Sequence, residues 1–289
     1  MNPSFSIVGC GRVGTTLAKH LVAAGYRACG LASRRQASAK AAADLTGCDL
    51  FSIHPESVTR GADVVFITTP DDAIATVCTD IAEKGGFAKD TLVYHCSGSL
   101  PSTILAPARG AGARIGSMHP LQSFASAEGE LSPFKGIIVS VEGEREAVEL
   151  ALEMAWKLGA TGLTIRTDAK AMYHAAAVVA SNALVTLVDL AYQLIGMAGI
   201  SSDDAYKVLG PLIEGTLNNI KNKGTVDALT GPVVRGDVSV IEKHMGEIKA
   251  RTPELAELYR VLGKYTVEVA RKRGTLDDKT LKALLGALC

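Results

Sequence analysis

Gly9-Cys10-Gly11-Arg12-Val13-Gly14 is the stretch that decides the fold of this chain. It has the pattern G-x-G-x-x-G, follows an apolar run at 5–8 and precedes a segment at 15–24 with apolar residues at helical spacing. In such a strand–turn–helix unit, the three glycines permit a tight turn, close approach of a pyrophosphate, and close packing of the helix on the strand. The helix N-terminus then offers unpaired N–H groups to the phosphates.

This stretch predicts a dinucleotide site. The alternative is an ordinary glycine-rich turn in a fold that binds no nucleotide. The residues predicted to contact the cofactor here are Gly9, Gly11, Arg12, Val13 and Gly14.

The end of the second predicted strand lacks the acidic residue of NAD-preferring sites. Residues 27–32 form this strand, and Ser33, Arg34 and Arg35 follow it. An acid at this point would accept hydrogen bonds from the ribose 2′-hydroxyl, whereas arginine forks match the oxygens of a 2′-phosphate. The sequence therefore favours NADP over NAD, with Ser33 and Arg34 as the clamp. In the alternative interpretation, the two arginines only solvate the start of the next helix.

Composition narrows the class of protein. Hydrophobic residues make up 47% of the 289 residues and aromatic residues only 5%, so small aliphatic side chains must fill the core, as in a parallel sheet buried on both faces. Thirty basic and thirty acidic residues cancel, which argues against a nucleic-acid surface or a polybasic membrane contact. No signal segment is visible before the first strand, and the six cysteines show no C-x-x-C spacing. We expect a cytoplasmic protein with neither disulfides nor a metal site.

Strand-like and helical patterns alternate over the first part of the chain. Strands are predicted at 5–8, 27–32, 49–51, 63–68, 91–95, 114–118, 136–141 and 163–165. Helices between them, at 36–45, 72–83 and 144–158, give the alternation of an α/β fold with a doubly wound parallel sheet. After residue 167 only helical patterns continue. We predict a Rossmann dinucleotide-binding domain over 1–167 and an all-helical domain for substrate binding and dimerisation over 168–289.

The longest weakly polar stretch lies at residues 175–200. Because polar residues interrupt it and it lacks the flanks of a membrane span, we interpret it as a buried helix of a soluble protein. Its apolar residues, Leu184, Val188, Leu190 and Leu194 among them, exceed what a small helical domain is expected to cover. A homodimer built from the second domain is therefore predicted.

Three segments resemble one family of two-domain proteins. They are HCSGS at 95–99, SMHPLQSF at 117–124 and TGPVVRGD at 230–237. That family pairs a Rossmann-like domain with the domain of unknown function 2520, and its members are described as NADP oxidoreductases. More broadly, the chain is similar to the superfamily of 6-phosphogluconate dehydrogenase, pyrroline-5-carboxylate reductase, prephenate dehydrogenase and ketopantoate reductase. The resemblance covers essentially the whole chain and implies fold and reaction class better than substrate.

The loops that end the predicted strands provide the site residues of the first domain. The resemblance places Thr68, Thr69 and Pro70 along the ribose and adenine side of the cofactor, although an ordinary turn is the alternative. Ser97 follows a strand at the carboxyl edge of the sheet, where open α/β folds bind ligands, so it is predicted to contact both cofactor and substrate. His119 is similar to the His-Pro turn associated with the active site of prephenate dehydrogenases. Its imidazole is a candidate proton donor to a carbonyl oxygen; a loop-capping histidine is the alternative.

The helix that opens the second domain carries a polar stripe. Lys170, His174 and Ser181 lie at i, i+4 and i+11, with Asn182 beside them, and the resemblance implies that such residues point toward the substrate. Burying them unpaired would cost about 1–3 kcal/mol each. In the functional interpretation, His174 or Lys170 donates the proton and Asn182 holds the substrate. In the structural one, the groups pair with each other across helices.

Arg235 lies in the turn at 230–237. An arginine held by a rigid turn would anchor a substrate carboxylate through two hydrogen bonds. A salt bridge with Asp237 or another neighbour is the alternative.

The leading hypothesis is an NADP-dependent reductase of a small carboxylated carbonyl or imine. Candidate substrates by resemblance are 2-dehydropantoate, pyrroline-5-carboxylate and a prephenate-like acid. A second hypothesis is a non-catalytic NADP-binding sensor, and a third is a reductase that uses a deazaflavin hydride carrier. The polar stripe and the His-Pro turn favour an enzyme over a sensor. The sequence leaves open the substrate, the direction of reaction and which histidine donates the proton.

Overall fold

The computed structural model describes residues 2–122 and 133–289. The chain divides into two compact units, Met1–Ser181 and Asn182–Cys289. The second motif of the resemblance, at 117–124, ends in Ser123 and Phe124, which lie outside the described residues.

The first unit contains an eight-stranded sheet within the described residues, with strand order β3-β2-β1-β4-β5-β6-β7-β8. All neighbouring strands are parallel except β6 and β7, which are antiparallel. The strands are β1 Ser4–Val8, β2 Arg27–Ala32, β3 Phe51–Ser52, β4 Val64–Ile67, β5 Leu92–His95, β6 Arg114–Pro120, β7 Ile138–Gly143 and β8 Thr161–Thr164.

Helices cover both faces of this sheet and form a separate core on each. Every residue of β1 and β4 is buried, because their near-continuous apolar runs face helices on both sides. The helices of the first unit are α1 Arg12–Ala23, α2 Gln36–Thr46, α3 Pro55–Thr59, α4 Asp71–Glu83, α5 Ala106–Gly110, α6 Arg145–Lys157 and α7 Lys170–Val178. The predicted doubly wound α/β fold is confirmed.

Some local predictions differ from the structure. The third strand is Phe51–Ser52 instead of residues 49–51, and the short helices α3 and α5 were not predicted because five residues carry too little periodicity. The antiparallel pairing of β6 with β7 was also not predicted. It places Ser117 opposite Glu142 and His119 opposite Ser140.

The second unit is helical throughout its described residues, as predicted. Its core contains Ile241, Met245, Val267, Leu281 and Leu284. Its helices are α8 Leu184–Met197, α9 Ser202–Ala228 with a break at Gly224, α10 Pro232–Arg235, α11 Val238–Arg251, α12 Pro253–Arg273 and α13 Asp278–Ala287.

The compact units meet after Ser181, later than the boundary predicted after residue 167. Lys170 is buried, and its ammonium donates a hydrogen bond to Ser117 of β6. The start of α7 therefore packs against the sheet of the first unit. The boundary was predicted earlier in the chain because strand-like patterns end before this helix.

The predicted buried helix at 175–200 is wrong for the single chain. The helical run Thr167–Met197 is long and apolar enough to cross a membrane by length and composition, yet only 6% of its most apolar window is buried. A core helix of a protein that crosses no membrane can have the same length and composition. Large apolar side chains are exposed along this run, including Val179, Val185 and Leu187. Apolar composition indicates that the surface of a helix is buried against a partner, but it does not show that the partner belongs to the same chain.

Candidate functional site

A cavity of about 610 Å³ lies at the carboxyl ends of β1, β2 and β4. It brings together seven of the predicted cofactor residues: Gly9, Gly11, Ser33, Arg34, Thr68, Thr69 and Pro70. Arg12, Val13 and Gly14 form the first turn of α1, which begins directly after the cavity-lining residue Gly11. The placement fits a dinucleotide, and the individual roles stay predictions.

The turn between β1 and α1 has the backbone that the glycine pattern requires. Gly9 adopts a φ of +112°, and a Cβ there would lie 2.7 Å from the carbonyl carbon of Thr68. A Cβ at Gly14 would collide with Gly9 O and Thr68 Oγ1. Gly11 faces open space, with no heavy atom within 4 Å of the Cβ position. The turn is therefore closed toward the protein and open on the side where a pyrophosphate would lie.

The polar groups around this cavity suit an anionic ligand. Gly11 is the N-cap of α1 and provides no side-chain hydrogen bond, and no acidic residue occupies the first turn. The first N–H groups of the helix are thus available to phosphate oxygens. Thr69 Oγ1 is buried without a hydrogen-bond partner among the described residues, so a ligand hydroxyl would satisfy it.

The far end of the cavity is basic and polar. Ser33 and Arg34, which were predicted to bind the 2′-phosphate, line this end of the cavity. Arg35 and Ser38 line it as well. Arg34 and Arg35 are exposed, and neither has an ion-pair partner in the part of the chain that the structure describes. Their guanidinium groups can therefore bind a phosphate without first breaking a salt bridge.

A second group of polar residues lies where β5 ends. Ser97 Oγ donates a hydrogen bond to Asp71 Oδ2 over 2.7 Å, and Ser99 Oγ donates to the same oxygen over 3.0 Å. Ser97 Oγ also accepts hydrogen bonds from the backbone N–H groups of Ser99 and Leu100. Ser97 is thus committed to the geometry of its own loop, and Asp71 is a site residue that the sequence analysis missed. Its position directly after Thr69-Pro70 was the available signal.

His119 and His174 converge on Gly98. A Cβ at Gly98 would lie 2.8 Å from His119 Nε2 and would collide with His174 Nδ1. The two imidazole rings are 5.9 Å apart between centroids and nearly perpendicular. His174 Nδ1 is buried without a hydrogen-bond partner in the described part of the chain, so it is free to bind a polar ligand. The structure therefore brings together two histidines that lie 55 positions apart in the sequence.

His119 is held neutral around neutral pH. Burial and, to a smaller extent, the charge of Lys170 lower its pKa to about 4. Its Nδ1 lies 3.4 Å from the hydroxyl of Tyr173, which also packs edge-on against the ring. His119 can therefore exchange hydrogen bonds with a ligand more readily than it can supply a proton.

Lys170 lies on the same helix face as His174 but is much more deeply buried. Its side chain is 1% exposed, and its ammonium donates a hydrogen bond to Ser117 Oγ and lies 3.8 Å from Glu142 Oε1. Burial lowers the pKa of Lys170 to about 8, although Glu142 raises it. Of the two interpretations of the polar stripe, pairing within the fold therefore describes Lys170, and its partners Ser117 and Glu142 were not predicted.

The predicted stripe does not extend to Ser181 and Asn182. Residues Val179–Ala183 form a π-helical turn, which shifts the residues beyond it around the helix axis. Both side chains are exposed, and Ser181 Oγ donates to the carbonyl of Ala177. Asn182 opens the second unit, and its predicted contact with substrate stays a prediction.

Arg235 forms the predicted alternative contact. It ends α10, and its Nε and Nη2 atoms lie 2.8 and 2.7 Å from Asp237 Oδ2. The arginine is 62% exposed, so the pair lies at the surface of the second unit. The pairing with Asp237 is thus observed, and the role of Arg235 as an anchor for a substrate carboxylate stays a prediction.

These features define a Rossmann-like unit followed by a helical unit. Residues 2–120 match the family model described as a Rossmann-like domain. Residues 137–266 match that of a domain of unknown function, DUF2520. The chain thus carries both domains of the family that its three motifs resemble. None of the curated proteins matches this chain.

Solved structures share this architecture over most of the chain. A candidate NADP oxidoreductase from Bacteroides fragilis is 25% identical, with a TM-score of 0.73 over 93% of this chain and 98% of that one. A protein from Thermotoga maritima is 28% identical, with the same TM-score over 93% and 99%. A pyrroline-5-carboxylate reductase from Coxiella burnetii, at 15% identity and a TM-score of 0.59 over 100% and 97%, shares the fold. The predicted relation to ketopantoate reductase and prephenate dehydrogenase stays a prediction.

Proposed function

We propose that this protein is an NADP-dependent oxidoreductase that reduces the carbonyl or imine carbon of a small carboxylated substrate. One loop carries this proposal, because it joins the two polar regions of the first unit. Pro70 lines the cavity below the G-x-G-x-x-G turn, and the next residue, Asp71, accepts hydrogen bonds from Ser97 and Ser99. The loop of Ser97 and Ser99 contains Gly98, on which both histidines converge.

The preference for NADP rests on the basic end of the cavity. Ser33, Arg34, Arg35 and Ser38 line the end of the cavity that we assign to the ribose 2′-position, and none of the described residues that line the cavity is acidic. A dianionic 2′-phosphate would gain charge-assisted hydrogen bonds there, whereas a 2′-hydroxyl would gain little. The names of similar structures agree with a nicotinamide cofactor, since they include an NADP-bound pyrroline carboxylate reductase and an imine reductase.

The protein would hold the substrate between the Gly98 backbone and the two histidines. The bound cofactor supplies the hydride. The oxygen or nitrogen that becomes basic during transfer needs a hydrogen-bond donor, and His174 Nδ1, beside Gly98, is a buried ring atom without a partner among the described residues. Because the low pKa of His119 keeps it neutral, we assign the proton transfer to His174 and a supporting hydrogen bond to His119.

Arg235 is the proposed contact for the substrate carboxylate. Its pairing with Asp237 is exposed, and exposed ion pairs contribute little to stability, so a carboxylate could replace Asp237 at small cost. The same loop is part of the motif at 230–237. A substrate anchor of this kind would affect binding more than turnover.

A screen for NADPH oxidation tests the proposal. The full-length protein is incubated with NADPH and a panel of 2-oxo acids and cyclic imines, and absorbance of NADPH is followed. Oxidation with at least one carboxylated substrate is expected, together with its loss in His174→Ala. If NADPH binds but no member of the panel is reduced, and no corresponding alcohol or amine is oxidised with NADP, the sensor hypothesis gains support. If a reduced deazaflavin replaces NADPH as hydride source, the cofactor assignment is wrong.

We further propose that two copies associate through the exposed apolar residues of the run Thr167–Met197. Val185 is 70% exposed, Val179 66% and Leu187 40%, which is unusual for large aliphatic side chains on one helical run. In the second unit, Leu187, Leu190 and Leu194 also line an apolar cavity of about 290 Å³. Covering such a surface with an identical surface would bury it without a second kind of partner.

A further inference from the structure

Glu142 organises a buried polar cluster in the first unit that the proposed reaction does not use directly. Its side chain is 1% exposed, and both of its carboxylate oxygens accept hydrogen bonds. Oε1 accepts a hydrogen bond from the backbone N–H of Ser102 over 2.8 Å, and Oε2 accepts from Ser102 Oγ over 2.7 Å. Oε2 also accepts from Thr167 Oγ1 over 2.9 Å. Lys170 Nζ lies 3.8 Å from Oε1.

The antiparallel register of β6 and β7 creates this cluster. Ser117 and Glu142 are direct cross-strand partners. Lys170 Nζ donates to Ser117 Oγ and lies beside Glu142, so its ammonium sits against one residue of each strand. A register shifted by one residue would turn one of these two side chains to the other face of the sheet.

The contacts of Glu142 join the two parts of the chain that meet at Gly98. Ser102 lies just beyond the loop 97–99, and Thr167 and Lys170 lie at the start of α7. His174 follows Lys170 by four positions, on the same helix face. One carboxylate therefore fixes both the loop that carries Gly98 and the helix that carries His174.

Charge explains why a carboxylate is needed at this position. A buried ammonium is costly unless an opposite charge lies close to it. The groups that raise the pKa of Lys170 are Glu142, Cys96 and Asp71, and Glu142 has the largest effect. His95 and His119 are neutral, and the charge of Lys170 contributes to lowering their pKa values. Glu142 is thus the main group that stabilises the protonated form of Lys170.

We propose that Glu142 is a positioning residue that keeps Lys170 protonated and fixes the start of α7, so that His174 stays directed at Gly98. The importance of this arrangement for catalysis rests on the proposed function. The protonation of Lys170 does not, and it can be measured without any substrate.

The test follows the titration of Lys170 by NMR in the full-length protein with ¹³C-labelled lysine. Its resonance is assigned by its disappearance in Lys170→Met. In Glu142→Gln the amide keeps the size of the side chain but removes the charge, so the midpoint of Lys170 should fall by about one pH unit or more, a tenfold change in its proton affinity. An unchanged midpoint would overturn the proposal.

Glu144→Gln is the matched control. Glu144 follows the same strand, and its carboxylate accepts a hydrogen bond from the backbone N–H of Ile115 over 3.2 Å, but it makes no contact with Lys170. Its substitution should leave the Lys170 midpoint unchanged. If Glu142→Gln does not fold, Glu142→Asp takes its place, because it keeps the charge but withdraws it by one methylene. A lower Lys170 midpoint is again expected, and an unchanged one contradicts the proposal.

Turnover provides a second readout once a substrate is known. In Glu142→Gln, kcat should fall relative to wild type as the pH rises through the lowered Lys170 midpoint, while Glu144→Gln follows the wild-type profile. A loss of rate that is the same at every pH would show a purely structural role and overturn the proposal. If the NMR midpoint shifts but no substrate is ever reduced, the proposed function fails and the role of Glu142 toward Lys170 stands.

Discussion

Gly98 has no room for a side chain because its Cβ would collide with His174 Nδ1. The backbone φ of Gly98 is not in the left-handed region, so the constraint at this position is steric only. A residue with a Cβ would push away His174, His119 or the loop itself. The close approach therefore links a glycine of the loop to the geometry of the proposed proton donor.

The first prediction concerns this contact. Gly98→Ala should destabilise the protein by about 1–3 kcal/mol through overpacking, and it should reduce kcat/KM by about 100-fold or more because it displaces the two histidines. NADPH affinity should change little. Denaturant unfolding, steady-state rates and calorimetric titration measure the three effects. Gly110→Ala is the control, because a Cβ there meets no atom within 4 Å. Full activity of Gly98→Ala would show that the histidines do not act at this loop.

The second prediction concerns cofactor choice. Arg34→Ala should weaken NADPH binding about 10- to 100-fold, because a charge-assisted hydrogen bond to phosphate contributes about 1.5–3 kcal/mol, and it should leave NADH binding nearly unchanged. Isothermal titration with both nucleotides measures this. Arg109→Ala removes an exposed arginine outside the cavity and should affect neither. Equal losses for NADPH and NADH would mean that Arg34 does not contact the 2′-phosphate.

The third prediction concerns stability and pH. Burial lowers the pKa of His119 from 6.5 to about 4. Between these values the unfolded chain binds more protons than the folded protein, so stability is complete above the unfolded pKa and is lost as the pH falls toward the folded one. The free energy of unfolding of the wild type, measured with urea, should fall from about pH 7 to about pH 5. In His119→Asn this fall should be smaller by about 1–2 kcal/mol. His54→Asn, which changes an exposed histidine, is the control. An identical loss in His119→Asn and wild type would contradict the low pKa.

The sequence was informative wherever chemistry depends on neighbours along the chain. The turn at Gly9, Gly11 and Gly14 needs only a local strand, turn and helix, so the glycine spacing was sufficient to predict the cavity. The same holds for Ser33 and Arg34 at the end of β2. His119 and His174 were each singled out by their own elements, but their convergence on Gly98 depends on the packing of α7 against the sheet.

The remaining site residues depend on contacts that no local pattern records. Glu142 contacts Lys170 because β6 and β7 are antiparallel in one register, and the signal in the sequence was a single acid ending the apolar run of β7. Ser181 was placed on the stripe of Lys170, with Asn182 beside it, by regular helical spacing, which the π-helical turn interrupts. Arg235 was equally suited to a ligand or to Asp237. The structure shows the pair with Asp237, and the contact with a substrate carboxylate stays a prediction.

The fourth prediction concerns self-association. The wild type should sediment as a dimer of the 30.1 kDa chain at micromolar concentration. Val185→Glu together with Leu187→Glu should shift it to monomer, because two charges would be buried in an apolar interface without partners. Leu45→Glu changes a residue of α2 that is 58% exposed and should leave the dimer intact. A wild-type monomer under these conditions would exclude the proposed interface.

The fifth prediction separates the roles of the two histidines and the arginine. If His174 donates the proton, His174→Ala should lower kcat and kcat/KM together by about 100- to 10,000-fold and leave NADPH affinity intact. His119→Ala should lose less, because the low pKa of this histidine leaves it neutral and suited only to a supporting hydrogen bond. Arg235→Ala should chiefly raise KM, since a carboxylate is held equally in the ground state and the transition state. Circular dichroism of each variant controls for folding. If His119→Ala shows the larger loss, the proton donor is His119, and if all three folded variants turn over normally, the active site lies elsewhere in the chain.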